Sequence, residues 1–225
     1  MFKLFFSLVG IAIAGTAASL LIPGSPPAHA LVQSDTPAMA SVSDMEVGTA
    51  TDKARVWLDE KDARLAAKAH LLPEDVQSIL ATDRLNHGEF LWNDDGVGKG
   101  KVTVWVDLRR QLVSVFRGPH EIGTSVILYG KPGKDTPLGT FAINRKVADY
   151  HSRSYDAPMP HSMFITNDGV ALHGSDVRLG RATHGCVGLP PEFARLLFEA
   201  TRVGDKVTVV MSDAGATAQM ANASS

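Results

Sequence analysis

A single cysteine, Cys186, stands in a chain of 225 residues. No internal disulfide can form, and zinc sites built on paired cysteines are excluded with it. No H-E-x-x-H occurs, so the usual helical zinc hydrolase pattern is missing as well. Basic runs are also absent, and the formal net charge is −2, which argues against a nucleic-acid partner. No internal repeat is present. What remains is ordinary globular composition, 44% hydrophobic and 20% charged, long enough to bury a real core. No metal and no cofactor is implied.

The first thirty residues read as an export signal. Lys3 supplies the positive start and Leu4 to Ile22 is an uncharged, mostly apolar run. Pro23, Gly24, Pro26 and Pro27 break it ahead of Ala28-His29-Ala30, a small-x-small cleavage pattern. An uncleaved anchor is the alternative, and it is the only membrane contact expected. No cysteine follows the run, which excludes a lipoprotein form. The body of the chain is therefore expected in the periplasm or cell envelope. A lone thiol there is a liability unless it is buried or used.

Residues 31 to about 50 lack a sustained period and are expected to be a flexible leader. From Asp52 to Ala81 the spacing predicts a helical hairpin: Trp57, Leu58, Leu65 and Ala69 share one face, and Val76, Ile79 and Leu80 follow Pro73 at i, i+3, i+4. Leader and hairpin together are assigned to residues 31–95. The turn-rich Asn93 to Gly100 marks a boundary, and the main domain is expected over 96–212.

In that domain Val102, Val104 and Val106 alternate with Thr103 and Trp105, and Leu112 to Phe116 completes a hairpin. Further strands are expected over 124–128, 139–144, 163–166, 170–173 and 206–211. One helix follows Pro190-Pro191, with Phe193, Leu196, Leu197 and Ala200 on one side. The fold class is mainly β, a sandwich or barrel-like domain with one or two helices, preceded by a short helical N-terminal segment. Residues 213–225 read as a disordered tail.

Leu172 to Pro190 holds the cysteine and two of the eight histidines among many glycines. A thiol nucleophile needs an imidazole within reach, partial exposure and backbone N–H donors for the developing oxyanion. Thr183-His184-Gly185-Cys186 meets the last need, because glycine permits a tight turn that converges the N–H groups of Gly185 and Cys186. His173, thirteen residues upstream, and His184, two residues upstream, are both candidate bases.

These residues resemble the signature of the YkuD-type L,D-transpeptidases: His173-Gly174, then Thr183-His184-Gly185-Cys186-Val187. Thr136-Pro137-Leu138-Gly139-Thr140-Phe141 and Ala157-Pro158-Met159-Pro160-His161 resemble two further elements of that family. The resemblance runs from about Lys101 to Met211. It implies an L,D-transpeptidase-like β-sandwich domain acting on peptidoglycan stem peptides. Cys186 would be the nucleophile and His173 the general base, oriented by a backbone carbonyl for which Gly174 and Ser175 are nearest. Thr183, His184, Gly185 and Gly174 would form the pocket and oxyanion hole. D-Alanine would leave a tetrapeptide, and an amine on another stem or on an envelope protein would resolve the thioester. Hydrolysis by the same thiol, as an L,D-carboxypeptidase or amide hydrolase, and a non-catalytic wall-binding domain are the alternatives. The sequence departs from the pattern at Gly188, where many relatives carry arginine or asparagine. Arg178 and Arg181 are candidates to replace that side chain, and Tyr129, Lys131 and Tyr155 are further pocket candidates.

Overall fold

The structure, a computed structural model, describes residues 55–82 and 84–215. The expected signal, the leader to residue 50 and most of the tail lie outside them. The elements in chain order are β1 (Arg55–Trp57), α1 (Glu60–Lys68), β2 (Ser78–Leu80), β3 (Phe90–Trp92), β4 (Val102–Asp107), β5 (Leu112–Arg117) and β6 (His120–Val126). They continue with β7 (Gly139–Ala142), β8 (Arg145–Ser152), β9 (Ala157–Phe164), β10 (Ala171–Gly174), β11 (Val187–Leu189), α2 (Pro191–Ala200) and β12 (Lys206–Val210). The mainly β class with two helices is as the patterning indicates. None of the helices among the described residues is long and apolar enough to cross a membrane.

Two sheets form the sandwich. The larger runs β1-β2-β6-β5-β4-β12-β7 with β3 also on β6, and the smaller runs β11-β10-β9-β8. Alternation decides which residues face inward. Val104, Val106, Val113 and Val115 of the large sheet meet Met163, Leu172, Val187 and Leu189 of the small one. Phe193, Ala194 and Leu197 of α2 join the same cluster, on the helical spacing visible in the sequence. Pro191 opens that helix at a position where a missing N–H costs nothing.

The expected helical hairpin over 52–81 is corrected. Only Glu60–Lys68 is a helix, capped by the Asp59 side chain on the Asp62 N–H, while Trp57, expected on its face, belongs to β1. His70 and Asp75 take left-handed conformations, φ 57° and 64°, which stop the helix. The stretch Ser78–Leu80 then pairs with β1 and with β6. Sheet hydrogen bonds override the i, i+3, i+4 spacing there. Strands β1 to β3 precede the turn at 93–100 and join the same sheet as β4 to β6.

β8 and the first half of β9 were not expected, because Pro158 and Pro160 argue against a strand. Both prolines pair only toward β8, opposite His151 and Asp149. β10 joins β9 only at Met163 and Phe164. The missing N–H groups therefore fall on an unpaired edge.

Candidate active site

β10 and β11 run parallel, with Leu172 opposite Val187, His173 opposite Gly188 and Gly174 opposite Leu189. Leu172, Val187 and Leu189 face the main core. His173 and Gly188 therefore share the opposite face of the small sheet. Cys186 lies one step before β11 and falls on that same face, packed with Ala171, Met159 and Phe164. The nucleophile candidate and His173 are thus diagonal neighbours on adjacent strands, a separation of roughly 7–8 Å between backbones that long side chains span.

His173 is buried, 8% exposed, and its Nδ1 lies 2.9 Å from the Gly174 carbonyl. A carbonyl only accepts, so Nδ1 carries the proton and Nε2 presents its lone pair. Burial lowers the His173 pKa below the usual 6.5, and the Gly174 carbonyl opposes that only in part. Burial likewise raises the Cys186 thiol above its usual 9.0. The Ala171 N–H works against that rise and the Asp168 carboxylate adds to it. Both shifts favour the neutral forms, and no hydrogen bond joins the two side chains. The sulfur instead reaches the Gly169 carbonyl at 3.8 Å.

The turn before Cys186 is built locally. The Thr183 hydroxyl donates to the Cys186 carbonyl at 2.5 Å, closing the turn. Gly185 has φ +111°, a conformation that residues with a Cβ rarely adopt. The N–H groups of Gly185 and Cys186 engage no acceptor among the described residues. Such free, fixed donors are what an oxyanion needs.

His184 does not approach the sulfur as a base. It is exposed and stacks on Tyr155 with ring centroids 4.6 Å apart and planes at 23°. Tyr155 belongs to the turn between β8 and β9, so this stack ties that hairpin to the Thr183–Cys186 turn. Arg178 and Arg181 stay on the exposed loop, both directed to Asp176, at 2.7 Å and 3.9 Å. Tyr129, Lys131 and Arg181 line a cleft of about 480 Å³ beside that loop. Cys186 is not among its walls. Among the described residues, no cluster of three or more His, Cys, Asp or Glu side chains is placed to hold a metal ion.

Gly130 carries no chemical signal and was not singled out. It belongs to the loop that flanks the Thr183–Cys186 turn. A Cβ there would lie 2.0 Å from the Lys134 carbonyl oxygen, and the Gly130 N–H donates to the Thr136 hydroxyl at 2.9 Å. Lys131 N–H bonds the Thr183 carbonyl. The threonine of the Thr136-Pro137 element thus closes a loop that braces the cysteine turn. Pro160 fits against Gly174, where a Cβ would come within 2.9 Å of its ring. Gly188 has a similar cause: a Cβ would meet Ser175 Cβ at 3.0 Å and Leu128 Cβ at 3.3 Å. The side chain absent at 188 is replaced in space by Ser175, which sits two residues beyond His173.

A buried histidine with a fixed tautomer and a thiol thus share one face of the small sheet, with two free N–H groups beside the thiol. Residues 101–209 match the model of the YkuD family, the L,D-transpeptidase catalytic domain. The L,D-transpeptidase 1 of Mycobacterium tuberculosis is 28% identical over 114 residues, covering 43% of this chain and 45% of that protein. The chain therefore spans less than half the length of that curated relative. Among solved structures, the L,D-transpeptidase of Stackebrandtia nassauensis is 29% identical with a TM-score of 0.47, covering 52% of this chain and 59% of that one. The Enterococcus faecium L,D-transpeptidase is 26% identical with a TM-score of 0.45, covering 50% of each chain.

Proposed function

We propose that this chain is an exported L,D-transpeptidase of the periplasm, acting through a Cys186 thioester on tetrapeptide stems of peptidoglycan. The observation that carries the reading is the β10–β11 register, which sets His173 and Cys186 on one face of the small sheet. The thiol first turns from the Gly169 carbonyl toward His173. Nε2 takes the thiol proton as sulfur bonds the carbonyl carbon between the diamino acid and the terminal D-alanine. The oxyanion accepts hydrogen bonds from the N–H groups of Gly185 and Cys186. As the C–N bond breaks, His173 returns the proton to the leaving D-alanine amine. An amine from a second stem, or from an envelope protein, then attacks the thioester and regenerates the thiol. No metal or cofactor is needed for this balance.

Incubation with disaccharide tetrapeptides followed by mass analysis tests the assignment. Cross-linked dimers with loss of D-alanine are expected. Tripeptides alone would make the enzyme an L,D-carboxypeptidase, and absence of any product would reduce the domain to wall binding.

A further inference from the structure

β5 and β6 slip in register between Val115 and Phe116, so that Val115 faces Gly123 while Phe116 faces Glu121. Ile122 is the extra residue. The bulge turns Ile122 into the main core and sends Glu121 to the outer face of the large sheet, with Leu112, Ser114, Thr124 and Val126. Bulges that re-aim a side chain are structural devices rather than defects.

Glu121 arrives in a separate cleft of about 600 Å³, between that sheet face and the segment from Leu71 to His87. Leu72, Leu80, Leu85 and Val126 supply apolar walls. The carboxyl is 4% exposed and accepts the Leu80 N–H at 2.8 Å. No ion pair is made by it among the described residues. Arg55, on β1, directs its guanidinium to the main-chain carbonyls of Glu121 and Asn93. Arg84 and Arg110 also line the cleft and are exposed. Burying this carboxyl is costly: burial outweighs the Ser114 and Leu80 hydrogen bonds and the charges of Arg110 and Arg55, and its pKa rises to about 7. A glutamine would keep the Leu80 bond without that cost. The volume lies within the range of small-ligand sites.

We propose that this cleft binds a small zwitterion with an aliphatic side chain, an amino acid or dipeptide, its ammonium on Glu121 and its carboxylate toward Arg84 and Arg110. One buried anion, two cations and apolar walls match the three parts of such a ligand. None of the residues around Cys186 lines the cleft, so the inference stands apart from the reaction assigned to the thiol.

Calorimetric titration of the full chain with L-leucine, D-leucine, n-pentylamine and 4-methylpentanoate tests it. Saturable binding of at least one leucine enantiomer is expected, at least about tenfold tighter than either half-ligand. Glu121→Gln, and Leu85→Trp at the half-buried wall, should each weaken it at least about tenfold while the alkylation rate of Cys186 stays unchanged. No saturable binding of either enantiomer, pentylamine binding as tightly as leucine, or binding untouched by both substitutions would overturn the proposal.

Discussion

Cys186 and His173 are both pushed toward their neutral forms, the thiol upward and the imidazole downward. Both shifts disfavour a thiolate–imidazolium pair, and in the proposed reaction His173 removes the thiol proton during attack. Because its pKa lies below 6.5, the acid limb of kcat/KM is expected to have its midpoint below that pH. His173→Ala should cost on the order of a hundredfold in turnover and slow alkylation of Cys186. A larger loss in His184→Ala would reassign the base. Asp168→Asn should move the alkylation profile to lower pH, since the carboxylate opposes the thiolate. Gly188 belongs to this scale too. Gly188→Asn should impair folding and activity through its clash with Ser175, and Ser175→Gly should restore part of both. Candidate nucleophile and base could be named from the sequence because both lie in one short segment, Leu172 to Pro190. The role of Gly188 was not, because the residue filling its space is thirteen positions away in the chain.

Among the elements, the loop 130–136 has no reactive group yet sets the cysteine turn through Lys131 and Thr183. Thr136→Val removes the hydroxyl that receives the Gly130 N–H and should cost about 1 kcal/mol or more in denaturant unfolding. Activity is expected to fall further than that stability loss would account for, because the oxyanion donors shift with the loop. An unchanged kcat would leave the loop a merely structural part. The hairpin β4–β5, strand β12 and helix α2 were legible from period two and period 3.6 alone. β8 and the first half of β9 were not, since the two prolines of β9 are tolerated only by virtue of an edge that the sequence does not display. The second half of the expected helical hairpin failed for a related reason. Ile79 and Leu80 are placed by their strand partners and not by helical spacing.

For the molecule as a whole, Glu121 couples folding to pH. Its carboxyl is raised from 4.5 to about 7 in the folded chain, so the folded state holds a proton that the unfolded state releases. Arg55 from β1, Arg110 from the β4–β5 turn, the Ser114 hydroxyl and the Leu80 N–H all favour the ionised form, but burial outweighs them. The stabilisation is fully present below pH 4.5 and is lost as pH rises through 7. The loss amounts to about 3 kcal/mol at most. Glu121→Gln should flatten that part of the stability–pH curve; an unchanged slope would place its origin elsewhere. Period-two alternation conveyed the sandwich architecture. The buried carboxyl was hidden, because only the bulge decides which way residue 121 points.

The central claim is that an acyl group passes through the sulfur of Cys186, and intact-protein mass spectrometry during turnover of a tetrapeptide stem reads it directly. The expected result is a covalent adduct equal to the stem minus D-alanine, mapped to Cys186, released by an added amine and absent in Cys186→Ala. Turnover by Cys186→Ala, or an adduct mapped to another residue, would contradict it.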